Sequence, residues 1–384
     1  MTRILYFSLD YSPHDHRFLS ALSETEHEVF YARLQRGPCQ TEDRPVPEKI
    51  QQILWSGGQK EFEWRDLPRL TLDLRRVIKA IKPDLIHAGP IQTCAFIAVL
   101  SGFRPILTMS WGFDLMEDVR RNRRMEWITR YTLTRSAFFT SDAEVTRAKA
   151  IQYGMNPDRT VVFPWGVDLD TFNVPARQRV DAPTFTVFCN RSWEPRYGVD
   201  VLARAFVKAA QQRENVDLLL LSGGSQANLL KRIFINGGVT LAPGAHLHRA
   251  QVPVSAGVDR VTFAGQIAHK DLPRYYHMAD LYVSPSHVDG SSVSLMEALA
   301  CGLPCLVSDI PANREWISDG ENGWLFSDGN ADLLAAKILE AMDQRPALEK
   351  ISKAARATAE AKANWKNNFS KLLNAYETIA KRKQ

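Results

Sequence analysis

At 384 residues, with 45% hydrophobic and 24% charged side chains, the chain can build about two globular domains of roughly 150 residues each. Its 48 Lys and Arg against 43 Asp and Glu leave a net charge of +5, too small an excess to imply a nucleic-acid partner. No run reaches the roughly 20 apolar residues of a membrane span, and the five cysteines (Cys39, Cys94, Cys189, Cys301, Cys305) lack zinc-ligand spacing, as expected of a protein in a reducing cytoplasm.

In chain order, apolar runs rich in β-branched residues predict strands at 4–9, 27–34, 84–89, 105–111, 137–141 and 160–164. Helical patterns fall between them, at 66–81 and 143–154 among others. The stretch DYSPHDHRFLSAL (10–22) has no glycine and reads as a polar loop; His14-x-His16 within it lacks a third metal ligand. Segment 117–135 sets Arg120, Arg121, Arg123, Arg124, Arg130 and Arg135 beside Trp127, Ile128, Tyr131 and Leu133. That suits a helix lying on anionic lipid, or a surface helix with its apolar face in the core.

A polar, proline-containing stretch at 173–183 predicts a linker, after which the pattern restarts. Strands are predicted at 184–190, 216–224, 260–265, 280–286 and 304–309, with helices at 199–213, 227–235, 271–279, 294–301 and 331–343. Residues 237–258 read as a long loop, and 364–384 as a last amphipathic helix ending in Lys and Arg, the sign that suits a helix C-terminus. Apolar strands alternating with amphipathic helices specify an α/β fold of two doubly wound, Rossmann-like parallel sheets, each covered on both faces. In such sheets ligands bind beyond the carboxyl ends of the strands, so the strand-to-helix turns hold the candidate site residues.

Two turns stand out. HVDGSSVSLMEALACGLP (287–304) leaves a strand and opens a helix. Gly290 lets the backbone approach a ligand closely, and the amides of Ser292, Val293 and Ser294 at a helix N-terminus suit a phosphate. Glu297 then reaches a ribose, or Ser294 and Glu297 form a capping box with no ligand involved. FCNRSWEPRYGVDVL (188–202) places Arg191 and Arg196 at a strand end, as cations for a diphosphate or as surface arginines.

Asp289-x7-Glu297, with Gly290, Leu295, Ala298, Ala300, Gly302 and Pro304 around it, resembles the E-x7-E signature of retaining GT-B glycosyltransferases of family four, the glycosyl transferases group one. The following VSDIPANREWISDGENGWLFSDGN is similar to the family's stretch after that helix. The first acidic residue is Asp where Glu is commoner, as in a subset of the family. The resemblance implies a GT-B fold with two domains facing a central cleft. The acceptor-side domain would span 1–172, the linker 173–183 and the nucleotide-sugar domain 184–363, with helix 364–384 packing back on the first domain.

It further implies that Asp289 lies at the donor sugar and that the backbone of Gly290, Ser291, Ser292, Val293, Ser294 and Leu295 contacts sugar and diphosphate. Glu297 would hold the nucleotide ribose. Arg191 matches the first residue of the family's R-x4-K and Arg196 falls five later, an Arg in place of the Lys, with its spacing to the glycine shifted because Tyr197 precedes Gly198 where the Lys usually stands. Both arginines, with Asp289, are expected to be catalytic. In SWGFD the residues Gly112 and Asp114 match the family's H-G-x-D turn, while Trp111 replaces its His and either stacks on a sugar or sits in the core. PDLIHAG is similar to another family strand end and puts His87 at the cleft or in the core; Gly166, Val167 and Asp168 would be structural. The family's Gly-rich first loop is missing, which leaves His14 and Asp15 in a polar acceptor-side loop.

The implied activity is retaining, metal-independent transfer of a sugar from a nucleotide-diphosphate donor, a UDP-sugar first among them, to an acceptor hydroxyl. No cofactor is expected. The acceptor would be a glycan or lipid-linked molecule of polysaccharide or glycolipid synthesis, and the enzyme cytoplasmic, at the inner face of the membrane if 117–135 touches it. A sugar-nucleotide epimerase or hydrolase, or an inactive nucleotide-sugar-binding relative, could use the same site. A dehydrogenase is disfavoured, because no G-x-G-x-x-G follows the first strand.

Overall fold

The computed structural model describes residues 1–37, 42, 44–174, 182–242 and 260–381. Most of the expected linker, most of the expected 237–258 loop and Cys39 lie outside the described residues. The chain divides into two units, 1–163 with 367–384, and 164–366.

Unit 1 holds a parallel sheet of β1 (Arg3–Ser8), β2 (Glu28–Arg33), β3 (Gln51–Gln52), β4 (Leu85–Ala88), β5 (Ile106–Met109), β6 (Phe138–Ser141) and β7 (Thr160–Val162), in the order β3-β2-β1-β4-β5-β6-β7. Unit 2 holds β8 (Phe185–Cys189), β9 (Val216–Leu221), β10 (Val261–Gly265), β11 (Leu281–Ser284), β12 (Cys305–Ser308) and β13 (Trp324–Phe326), in the order β10-β9-β8-β11-β12-β13. Side chains alternate across a strand, so each sheet feeds two apolar layers. In unit 2, Val187, Cys189, Leu218 and Leu220 enter one layer, and Phe188, Leu219, Leu221 and Tyr282 enter the other. In each unit the strand order reverses beside the unit's first strand, between β1 and β4 and between β8 and β11. These are the switch points at which open α/β sheets leave a crevice.

Three expectations need correction. The glycine-free 10–22 stretch is not a loop: Pro13–Ser23 is a helix, started by a Ser12/Asp15 capping box with Pro13 in its first turn. The division between units falls after Phe163 and not at 172. The reason is burial: Val167 and Phe172 join an apolar cluster of unit 2, and the Val167 amide donates to the Ala363 carbonyl at 2.7 Å. Gly166 permits that approach, since with φ +69° it brings its Cα so near that a Cβ would lie 2.5 Å from the Ala363 oxygen. Finally, helices at Phe96–Leu100 and Leu348–Lys362 and the short β3 and β13 had not been expected.

The last helix, Trp365–Lys381, belongs to unit 1 from residue 367 onward, where Tyr376 is fully buried. Cys94, Cys189, Cys301 and Cys305 are buried free thiols.

Candidate functional site

Strands β8 and β11 lie side by side, with Leu281 opposite Val187 and Tyr282 opposite Phe188. The chain therefore leaves both strands at one place. Arg191, two residues beyond β8, turns its guanidinium onto the segment that opens the helix Val293–Ala300. Its Nη2 donates to Asp289 Oδ2 at 2.7 Å, and its Nη1 donates to the Ser292 and Ser294 hydroxyls at 2.8 and 3.1 Å. The Tyr197 ring lies under the cation at 4.3 Å. The side chains of Arg191 and Asp289 are only 11% and 15% exposed, so the pair is held where charges are weakly screened. Burial pushes the Asp289 carboxyl up, and Arg191 and the Gly290 amide only partly offset it. On Arg191 burial acts downward, yet Asp289, Tyr197 and Tyr282 outweigh it, so the guanidinium is held cationic.

The turn after Arg191 is strapped to the exit of β11. Gly198 has φ +58°, and a Cβ there would sit 2.2 Å from the Pro285 carbonyl oxygen. The His287 amide donates to the Arg196 carbonyl at 2.9 Å. Arg196 is thus fixed by its backbone, one residue from the tyrosine that supports Arg191.

The helix Val293–Ala300 begins one residue earlier than the sequence indicates, and its N-cap is Ser292, not Ser294. A Ser294/Glu297 capping box is therefore excluded. Ser294 instead bonds Arg191 and accepts from the Tyr282 hydroxyl at 2.8 Å. Glu297, 4% exposed, accepts from the Tyr276 hydroxyl at 2.7 Å through Oε2, and its Oε1 lies 3.9 Å from His269 Nε2. The Leu295 amide is taken by the Ser292 hydroxyl, so it is not an open donor for a ligand. Gly290, Ser291 and Val293 complete the turn, with the Ser291 hydroxyl accepting from Trp316 Nε1 at 3.2 Å. Tyr276 and Asn190 were not singled out in the sequence; a buried aromatic such as Tyr276 looks the same whether or not it serves a site. The one signal was Asn190, a polar residue directly after an apolar strand.

Unit 1 assembles its six expected residues differently. Asp15 is 1% exposed and accepts from the Ser12 amide and hydroxyl and the Tyr6 hydroxyl. Asp114 is wholly buried and accepts from the Ile91 and Leu115 amides and the Ser110 hydroxyl. Burial raises each carboxyl to about 6 against those hydrogen bonds. The oxygens of both carboxylates are thus taken up by donors within unit 1. Gly112, at φ +81°, lets the chain reverse so that its amide reaches the Ser110 hydroxyl. His87 is a core residue: alternation along β4 turns it to the face where Tyr6, Phe18 and Tyr376 pack around it. Its Nδ1 lies 2.6 Å from the Tyr376 hydroxyl, and burial lowers its pKa to about 3. His14 and Trp111 are both half-buried, with their rings 5.5 Å apart.

Among the described residues no group of three or more His, Cys, Asp or Glu side chains gathers as a metal site, and no helix is long and apolar enough to cross a membrane.

Residues 14–171 match the family model described as Glycosyltransferase Family 4, and residues 248–358 match that of Glycosyl transferases group 1. The chain is 28% identical over 225 residues to a phosphatidyl-myo-inositol mannosyltransferase of Mycobacterium leprae, covering 57% of this chain and 54% of that one. It is 30% identical over 235 residues to a D-inositol 3-phosphate glycosyltransferase of Xylanimonas cellulosilytica, covering 60% and 54%. The chain thus spans about half the length of these curated relatives. Among solved structures, sucrose-phosphate synthase of Thermosynechococcus elongatus aligns with a TM-score of 0.78 at 18% identity, covering 98% and 99% of the two chains. Anabaena HepE in complex with UDP and glucose aligns with a TM-score of 0.77 at 16% identity, covering 99% and 100%. These likenesses establish the two-domain GT-B fold.

Proposed function

The chain belongs to the family 4, group 1 glycosyltransferases, and from that premise we propose that it moves a sugar from a nucleotide-diphosphate donor to an acceptor hydroxyl with retention of configuration. The observation that carries this is the buried guanidinium of Arg191, held against the N-terminus of the helix Val293–Ala300 by Asp289, Ser292 and Ser294. As the bond to the sugar breaks, negative charge collects on the diphosphate. A fixed cation and a helix N-terminus stabilise that charge more in the transition state than in the ground state. Arg196, on the strapped turn, supplies a second positive charge. Asp289 takes the donor sugar and Glu297 the ribose. These side chains do the electrostatic work a metal would otherwise do, so turnover should persist in excess EDTA.

A UDP-sugar is the first donor to test, since the HepE relative of this fold was solved with UDP. The acceptor we propose is a lipid-linked or glycan hydroxyl, as the name of the mycobacterial relative suggests for that enzyme. Contact with the inner face of the cytoplasmic membrane would then run through the helix Arg123–Leu133 and the residues before it. Trp127 is 56% exposed, and the exposed side chains of Arg120 and Arg123 form no hydrogen bond or ion pair among the described residues. Acidic vesicles should pellet the protein at low salt and release it at high salt. Equal recovery with neutral vesicles would remove the membrane from this account.

The function is tested by a melting-temperature screen with UDP, GDP, ADP and TDP, followed by NMR of the anomeric proton in the product made from the matching sugar donor. One nucleotide should raise the melting point, and the product should keep the donor's configuration. An inverted product, or turnover that EDTA abolishes and only a divalent ion restores, would contradict the mechanism.

A further inference from the structure

We infer that Tyr276 is the positioning residue of the ribose carboxylate: its hydroxyl pins one oxygen of Glu297 and so fixes the direction of the other. This rests on Glu297 being the ribose ligand. Tyr276 lies on the helix Leu272–His277 and is 1% exposed. Three groups meet its hydroxyl: Glu297 Oε2 at 2.7 Å, the Ser294 carbonyl at 3.1 Å, and the Asn190 amide nitrogen at 2.8 Å. A phenol has one proton to give. The carboxylate is the nearer and more strongly accepting of the two oxygen partners, so the proton goes to Glu297. Asn190 then donates to the hydroxyl's lone pair, which leaves the proton free for that bond.

The chain Asn190–Tyr276–Glu297 therefore runs from the exit of β8, beside Arg191, to the second turn of the helix Val293–Ala300. The phenol cannot swing away. Its ring meets Phe188 edge-on at 5.0 Å and 86°, with Phe172 and Tyr282 at 6.0 Å. Burial and the Glu297 charge push the Tyr276 hydroxyl well above its ordinary range, which keeps it protonated and donating. A carboxylate left to rotate would lose part of its ribose bond to disorder; one held through Oε2 keeps Oε1 in one direction, on the side of His269 Nε2 at 3.9 Å. This gives the aromatic cluster beside the site a use beyond packing.

The test removes only the oxygen. For Tyr276→Phe, the affinity of UDP and GDP is compared by calorimetry with that of their 2′,3′-dideoxy counterparts, which lack the hydroxyls Glu297 would hold. Wild type should prefer the ribose form by roughly tenfold or more. Tyr276→Phe should weaken that form by about three- to tenfold and leave the dideoxy form unchanged, with donor KM raised and kcat kept. In Glu297→Ala the further change Tyr276→Phe should have no added effect, because the two act as one unit. Equal weakening of both nucleotide forms would mean that Tyr276 is only a packing residue. An unchanged ribose preference would also overturn its role. A wild type that does not distinguish the two forms would instead remove Glu297 from the ribose, and the inference with it.

Discussion

The two sheets reverse strand order at equivalent places, yet the polar residues gathered at the two switch points are used in opposite ways. In unit 1, Asp15 and Asp114 spend their oxygens on neutral amides and hydroxyls, mostly of their own turns, with the Tyr6 hydroxyl and the Ile91 amide as the more distant donors, and neither forms an ion pair among the described residues. Beside β8 and β11, Arg191 and Asp289 face each other across two separate loops, and Glu297 is held by a residue of a third element. Local hydrogen bonds build a turn and need no further partner. Charges brought together from distant parts of the sequence carry a desolvation cost that folding alone does not require. That contrast is what makes the second switch point the stronger candidate for chemistry.

The largest effect that would sharpen the contrast is expected at Arg191. Arg191→Ala should lower kcat by roughly a hundredfold and affect donor KM less, and Arg191→Lys should recover part of the loss. Near-normal kcat in the folded variant would place the diphosphate elsewhere. Next, Glu297→Ala should weaken nucleotide binding by about ten- to a hundredfold, read by calorimetry, since a charged hydrogen bond to the ribose is lost. A smaller effect, and one on stability alone, belongs to the other switch point. Asp15 has a folded pKa near 6, raised by burial above its ordinary 3.8, so the native state binds protons more tightly than the unfolded one. Its contribution is fully present below about pH 4 and is lost as pH rises through 6. Melting temperatures from pH 4 to 7 should fall less steeply in Asp15→Asn than in wild type, with nucleotide affinity unaltered. A loss of nucleotide affinity in that variant would break the distinction between the two regions.

Much of this was legible in the sequence. Eleven of the strands announced themselves as apolar runs, because a strand buried on both faces leaves no room for polar residues. Gln51–Gln52 and Trp324–Phe326 were too short to show any period. Arg191, Asp289 and Glu297 were singled out through the resemblance to the family's R-x4-K and E-x7-E patterns, and the fold sets Arg191 against Asp289 at the opening of the helix that carries Glu297. What spacing could not decide was which partner each side chain takes. Ser12-x-x-Asp15 is as good a capping box on paper as Ser294-x-x-Glu297, and only the first one forms. The difference lies in Ser292, which caps the later helix first, and in Tyr276, eighteen residues upstream of Ser294, which takes Glu297. For His87 the sequence leaves the cleft and the core both open, and the alternation along β4 turns it toward Tyr376, far along the chain.

The central claim is that the β8–β11 switch point binds the nucleotide diphosphate and that the polar turns of unit 1 do not. Hydrogen exchange of the backbone amides, followed by mass spectrometry with and without the nucleoside diphosphate that raises the melting point, tests it directly. Slowed exchange should appear in 190–198 and 289–297, with 12–16 and 110–116 unchanged. Protection confined to the unit 1 turns, with 289–297 exchanging at its unliganded rate, would contradict the account.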